Sequence, residues 1–141
     1  MTLDKPVIRA KLVRLNEYIT RVEKKRPDPT QLLLTDADAQ DIVSHNLEKA
    51  VQICIDIASH VCAANGRAPQ SAGESFTTLS QLGLIEVDLA SKLVSAVGFR
   101  NISVHEYAEI DWMIVIAVAT TGIEDLNAFG CWAAALAVEA S

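Results

Sequence analysis

A helical pattern without proline or glycine extends from Thr35 to about Ala64, and it constrains the fold more than any other feature of the chain. Its apolar residues recur every three or four positions, as they do on the buried face of an α-helix. A helix of this length is roughly 40 Å long. Because its apolar surface is wide, we expect it to lie centrally or to contact a second copy of the chain. The apolar positions are Ile42, Leu47, Ala50, Val51, Cys54, Ile55, Ala58, Val61 and Cys62.

Composition also favours helices over sheets. Half of the 141 residues are hydrophobic but only 5% are aromatic, so the core must consist mainly of Leu, Ile, Val and Ala. These residues suit packed helices better than a sheet sandwich. The length fits one domain with a substantial core. We therefore predict an all-α fold, an antiparallel up-and-down bundle of five to six helices that occupies residues 1–141 as a single domain.

The N-terminal segment predicts a helix from about Lys5 to Lys25. Its apolar residues follow helical spacing and give one stripe. The prolines in residues 26–29 end this helix, because each proline disfavours helical conformation in the residue before it. The stripe consists of Ile8, Leu12, Leu15, Ile19 and Val22.

Capping patterns predict the starts and ends of further helices. A Ser or Thr followed three positions later by an acidic residue is typical of a helix start. This pattern occurs at Thr35, Ser71 and Thr121. Gly66 and Gly83 are expected to end the helices that precede them, because glycine readily adopts the left-handed conformation found there.

A fourth helix is expected to start near Glu86 and to carry Arg100 and Asn101 at its C-terminal end. Residues 105–107 should lie in the turn beyond it, and another helix should follow from Ile110. The order of these segments, joined by short connections, fits the antiparallel bundle.

Charge is distributed unevenly along the chain. The net charge of −6 argues against generic nucleic-acid binding. Residues 1–26 nevertheless carry eight basic and three acidic side chains, which is +5, and the remainder holds four basic and fifteen acidic side chains, which is −11. Such a segment is usually a solvated helix face. The alternative is a basic edge that meets either RNA or an acidic partner.

Three features indicate a cytoplasmic protein without membrane contact. The first 26 residues are charged throughout, which excludes a secretory signal in this stretch. The longest apolar run, Trp112 to Ala119, is shorter than the ~20 residues that span a bilayer. Three cysteines without a CxxC pair fit a reducing compartment.

Residues 100–107, with the sequence RNISVHEY, carry the side chains best suited to chemistry. Arginine holds phosphate with a planar fork of donors, and histidine exchanges protons near neutral pH. Tyrosine adds a hydroxyl and a stacking face, so the segment suggests chemistry on a phosphodiester. On one helix, Arg100 and His105 would point about 140° apart. We therefore expect a break at Ser103-Val104 that lets both reach one phosphate.

On spacing alone, structural roles explain these residues better. Arg100 would pair with a surface carboxylate, His105 would cap carbonyls at a helix end, and Tyr107 would be half-buried in the core. A metal site is not predicted either. Cys54, Cys62 and His60 share one helix, and one straight helix cannot surround a tetrahedral ion.

The same octapeptide resembles the Arg-x4-His-x-Tyr signature of the HepT-type toxins of the HEPN superfamily. The similarity runs from about residue 7 to residue 130. Residues 131–140 depart from the family's pattern, because they are rich in alanine where a more polar last helix is usual. The segments that carry the resemblance outside the octapeptide are 46–52, 55–60, 76–79, 98–101 and 107–112.

The resemblance implies an all-α homodimer that acts as a metal-independent endoribonuclease without a cofactor. Two copies of the motif would face each other across the dimer cleft. By position, Arg100 would hold the scissile phosphate and His105 would act as general base or general acid. Asn101 would orient the phosphate or His105, and Tyr107 would contact the nucleotide.

The family also implies a protein partner. HepT-type toxins are paired with a nucleotidyltransferase antitoxin of the MNT type, in type VII toxin–antitoxin systems. That partner can add adenylyl groups to the motif tyrosine, which is Tyr107 here. Two alternatives stay open: a non-catalytic HEPN subunit that holds nucleotide or substrate for the nucleotidyltransferase, and a homodimer that only scaffolds this partner.

Overall fold

The computed structural model describes the backbone of residues 3–105 and 110–138, and their side chains except those of residues 102–105. Within these ranges every regular element is helical, which confirms the all-α prediction. Two short elements, a 3-10 turn at Thr30–Leu34 and a π turn at Val118–Gly122, accompany the α-helices. The α-helices are α1 (Lys5–Lys25), α2 (Ala37–Ala64), α3 (Ala72–Gln81), α4 (Val87–His105), α5 (Trp112–Ala117) and α6 (Ile123–Val138).

The start of α2 lies one residue later than the capping pattern predicted. The cap is Asp36, whose Oδ1 accepts a hydrogen bond from the backbone N–H of Ala39 at 3.1 Å. Thr35 instead follows the 3-10 turn, and its N–H donates to the carbonyl of Leu32. Aspartate is as good a cap as threonine or better, so the adjacent Asp36 takes the position that we assigned to Thr35.

The other predicted boundaries up to Gly83 are confirmed. Helix α1 has the predicted limits, and Asp4 caps it by accepting from the N–H of Val7. Ser71 Oγ accepts from the N–H of Glu74 at 3.2 Å and so caps α3. Gly66 and Gly83 have φ of 75° and 73°, the left-handed conformation expected after a helix.

The capping prediction at Thr121 is wrong, because helical structure continues through this residue. Thr120 and Thr121 donate their hydroxyls to the carbonyls of Ile116 and Ala117, within the same helical run. Threonine often bonds back in this way inside a helix. The π turn therefore joins α5 to α6 without a break.

The resulting run, Trp112–Val138, is longer than the apolar segment that the sequence suggested. By length and composition alone it could cross a membrane, but core helices of soluble proteins pass the same test. Here the run packs against α1, α2 and α4, and Glu124 and Asp125 lie near its middle. These contacts fit a helix of a water-soluble bundle.

Hydrogen bonds between helices show that α1 is antiparallel to both α2 and α6. At its start, the N–H of Asp4 donates to His60 Nε2 near the end of α2, and Arg9 donates to the carbonyl of Ala137 near the end of α6. At its other end, Arg26 donates to the carbonyl of Ala119 at 2.7 Å. This arrangement confirms the up-and-down bundle.

Helix α2 lies at the centre of the bundle, as its wide apolar surface predicted. It packs against α1, α3, α4 and α6. Across from it, the ring of Phe129 meets Phe76 edge to face at 5.5 Å and Trp132 at 5.3 Å.

Burial raises the pKa of the Cys54 and Cys62 thiols, because the apolar core disfavours the thiolate. Both cysteines are 0% exposed and are core residues, as expected from their spacing.

Candidate functional site

The last turns of α4 carry the predicted site residues. Leu93, Val97 and Phe99 are almost fully buried and fix this helix in the bundle. Arg100 follows directly after Phe99 and is partly buried, whereas Asn101 is exposed. Because an anchored helix restricts the base of each side chain, the arginine stem is held while its guanidinium remains accessible.

Arg100 and Asn101, two of the predicted site residues, contact each other. Arg100 Nη1 donates to Asn101 Oδ1 at 3.2 Å. This bond uses one of the five N–H donors of the guanidinium, so a phosphate could still bind to the fork. Within the described part of the chain Arg100 forms no ion pair with a carboxylate. The ion pair that spacing alone predicted for it is therefore absent from these residues.

The predicted break at Ser103-Val104 is wrong, because α4 continues to His105. Ser and Val lower helix stability by only a few tenths of a kcal/mol, and no proline or glycine lies between Arg100 and His105. The backbone therefore directs the two motif residues about 140° apart, with a rise of roughly 7.5 Å. The His105 side chain and Tyr107 lie outside the described residues.

A groove of about 380 Å³ lies between α4 and the run formed by α5, the π turn and α6. Met113 and Ile114 line it and are 58% and 42% exposed, which is high for large apolar residues. No sequence pattern predicted this groove, although the uninterrupted apolar stretch at 112–119 contains more apolar residues than one buried face needs.

Charged residues at one end of this groove show how α4 is oriented. Lys92 Nζ lies 3.2 Å from Asp88 Oδ2 on α4 and 4.0 Å from Asp125 Oδ1 on α6. Partial burial raises the pKa of the Asp125 carboxyl, although Lys92 opposes this shift. Because Lys92, early in α4, lies beside Asp125, and Ala96 shares the groove with residues 113–122, α4 runs antiparallel to this run. Arg100, later in α4, therefore lies at about the same height along the bundle axis as α5.

The two other histidines lie on α2, away from the motif. His60 Nε2 accepts a hydrogen bond from the N–H of Asp4, which ties α1 to α2. His45 is exposed on α2. Among residues 3–105 and 110–138, as far as their side chains are described, no three His, Cys, Asp or Glu residues are grouped to hold a metal ion.

Comparisons with known proteins match most of this chain. The family model described as Ribonuclease HepT-like matches residues 15–130. The mRNA nuclease HepT of Shewanella oneidensis is 36% identical over 124 residues, which are 87% of this chain and 92% of that protein. The tRNA nuclease HepT of Aphanizomenon flos-aquae is 28% identical over 114 residues, which are 79% of this chain and 77% of that protein.

Solved structures agree with the sequence comparisons. A tri-AMPylated HEPN toxin of Shewanella oneidensis, in complex with its MNT antitoxin, has a TM-score of 0.84 and 35% identity, covering 92% of this chain and 97% of that one. A toxin–antitoxin structure with AMP-PNP has a TM-score of 0.82 and 34% identity, covering 90% and 97%. The resemblance inferred from RNISVHEY and its flanking segments is confirmed, and the chain belongs to the HepT-like ribonuclease family.

Proposed function

We propose that this chain is the RNA-cleaving toxin of a type VII, HEPN/MNT toxin–antitoxin pair. It would act in the cytoplasm as a metal-independent endoribonuclease. The observation that carries this proposal is the family match over residues 15–130 in a chain that retains the Arg-x4-His-x-Tyr sequence. The partly buried Arg100 at the end of an anchored helix supports it, because such an arginine is suited to hold a phosphate.

In the proposed reaction the 2′-hydroxyl of a ribose attacks the adjacent phosphorus and the 5′-oxygen of the next nucleotide leaves. The products are a 2′,3′-cyclic phosphate and a 5′-hydroxyl end. Arg100 would stabilise the charge that develops on the phosphate oxygens. His105 would accept the proton of the 2′-hydroxyl or donate a proton to the leaving oxygen, and Asn101 would orient the phosphate or His105. This step needs no metal ion.

A homodimer would complete this site. On one continuous helix Arg100 and His105 diverge, so one copy of the motif does not readily direct both side chains at one phosphate. Two motifs that face each other across a cleft would supply two arginines and two histidines. One histidine could then act as the base while the other acts as the acid.

Cleavage of total RNA by the purified, unmodified protein in EDTA tests the proposed activity. We expect fragments that end in 2′,3′-cyclic phosphate, because the 2′-hydroxyl is the nucleophile and no metal takes part. Chemical end-labelling of the fragments measures this. If protein with an unmodified Tyr107 leaves the RNA intact, the nuclease proposal fails and the nucleotide-binding or scaffold subunit becomes the better explanation.

We further propose that a nucleotidyltransferase antitoxin adenylylates Tyr107. Added nucleotides would place negative phosphate beside Arg100 and fill the cleft, so RNA would be repelled. Intact mass after co-expression with the antitoxin should therefore show adenylyl increments, which disappear in Tyr107→Phe.

The chain offers a matched control for this experiment, because Tyr18 is the only tyrosine in its sequence besides Tyr107. Tyr18→Phe should keep the increments. Increments that persist in Tyr107→Phe, or that are absent from the unmutated protein, would contradict modification at this residue.

A further inference from the structure

One face of α1 carries a row of cations with a tyrosine at its centre. This row, the basic stripe, consists of Lys11, Arg14, Tyr18, Arg21 and Lys25. Their spacing of three or four residues places all five side chains on one side of the helix. Of the acidic residues in this segment, Asp4 caps the helix and Glu23 lies on another face, whereas Glu17 borders the stripe and pairs with Arg14.

The stripe borders a groove of about 300 Å³ between α1 and α2. Lys11, Arg14 and Tyr18 line it from α1. From α2 the lining residues are Lys49, Gln52 and Ile53. The groove thus combines cations with an aromatic ring, and a positively charged groove with aromatic side chains binds single-stranded nucleic acid in other proteins.

Arg14 and Tyr18 are held in place by each other. Arg14 Nη2 donates to the Tyr18 hydroxyl at 2.8 Å, and its guanidinium carbon lies 5.5 Å from the ring centroid. Glu17 lies 3.6 Å from Arg14 Nε and leaves part of the fork exposed. A cation and a ring that are already ordered lose little conformational entropy when they bind a phosphate and a base.

Among the described residues, carboxylates pair with the Lys11 and Arg14 end of the stripe. Lys11 pairs with Asp56 at 3.6 Å, near the start of α1. In the part of the chain that the structure describes, Arg21, Lys25 and Lys49 form no ion pair, and all three are exposed. Since the whole chain has a net charge of −6, this cluster is an isolated positive region on an acidic protein.

The unneutralised end of the stripe lies at the same end of the bundle as Arg100. Arg26, next to Lys25, donates to the carbonyl of Ala119. Arg100 lies near the level of α5, because α4 runs antiparallel to α5 and α6. An extended polyanion could therefore follow the stripe toward the motif.

We propose that the basic stripe and its groove bind the backbone of the RNA substrate outside the cleavage motif, with Tyr18 contacting a base. This inference rests on the proposed ribonuclease function, for which it adds a site of substrate binding. It gives the enzyme a preference for long strands, because an RNA that covers only the motif cannot reach the stripe.

Equilibrium binding of a long single-stranded RNA in a His105→Ala background tests this inference without interference from cleavage. We compare Arg21→Gln/Lys25→Gln with the control Lys24→Gln/Arg67→Gln, which removes the same charges outside the stripe. The stripe variant should bind several-fold more weakly at ~0.1 M salt. A plot of the logarithm of the binding constant against the logarithm of the salt concentration should be less steep by about 1.4. This corresponds to ~0.7 for each lost contact with a single strand.

The outcomes separate this inference from the nuclease proposal. Selective weakening in the stripe variant supports the inference even if the unmutated protein cuts no RNA. Equal binding by the two double variants overturns it, whether or not RNA is cleaved. If the stripe variant retains RNA binding but no longer co-purifies with the antitoxin, the stripe is a protein-docking surface and the inference is wrong.

Discussion

Replacement of His105 by alanine is expected to lower the rate of RNA cleavage by about 10²–10⁴-fold, the usual contribution of a general acid or base. The affinity for RNA should change little, since phosphate binding is assigned to Arg100. Initial rates at saturating RNA, with purified protein in EDTA, measure this. Growth inhibition on expression should be lost in parallel.

His45→Ala is the matched control for this experiment. His45 is exposed on α2 and no functional role is assigned to it, so its variant should cleave RNA like the unmutated protein. His60 would be a poor control, because its Nε2 accepts the hydrogen bond from Asp4 that joins two helices. Undiminished cleavage by a folded His105→Ala protein would refute the assignment of His105.

Phe129→Ala is expected to lower the free energy of unfolding by about 3–5 kcal/mol, which is at the upper end of the range for single core substitutions. The Phe129 ring is 0% exposed and contacts both Phe76 and Trp132. Its removal would leave a cavity between α3 and α6 in a core with few aromatic side chains. Equilibrium urea unfolding followed by circular dichroism measures the change.

Val138→Ala on the same helix provides the comparison. Val138 is 73% exposed, so its truncation should change the free energy of unfolding by less than about 0.5 kcal/mol. Similar effects of the two substitutions would mean that Phe129 is not at the centre of the core.

The fold could be predicted from the sequence wherever periodicity and helix ends agreed. The limits of α1, the central position of α2 and the ends at Gly66 and Gly83 all followed from such local signals. The two helix starts that were predicted wrongly, at Thr35 and Thr121, have a common cause. A Ser or Thr pattern does not show whether a neighbouring Asp36 is the better cap, or whether the threonine at position 121 bonds backward within a helix.

The candidate site was predicted less completely. Resemblance to a family indicated Arg100, Asn101, His105 and Tyr107, and the structure brings the first two into contact. The break that we expected before His105 came from requiring one chain to complete the site. Weak helix formers do not end a helix that tertiary packing stabilises, so α4 continues to His105 without the expected break. The groove beside α4 could not be predicted, because it depends on how distant segments pack.

The two hydrogen bonds that fix α1 along the run Trp112–Val138 have a practical consequence for experiments. Arg9 reaches the carbonyl of Ala137, so the start of α1 and the end of α6 lie side by side, at the end of the bundle opposite Arg100. An affinity tag or fluorescent protein joined next to residue 3 or residue 138 would therefore be attached at the end of the bundle opposite Arg100. A short flexible peptide could also link these ends in a circularly permuted chain opened at the exposed Gly66 turn, leaving the end of the bundle that carries Arg100 unaltered.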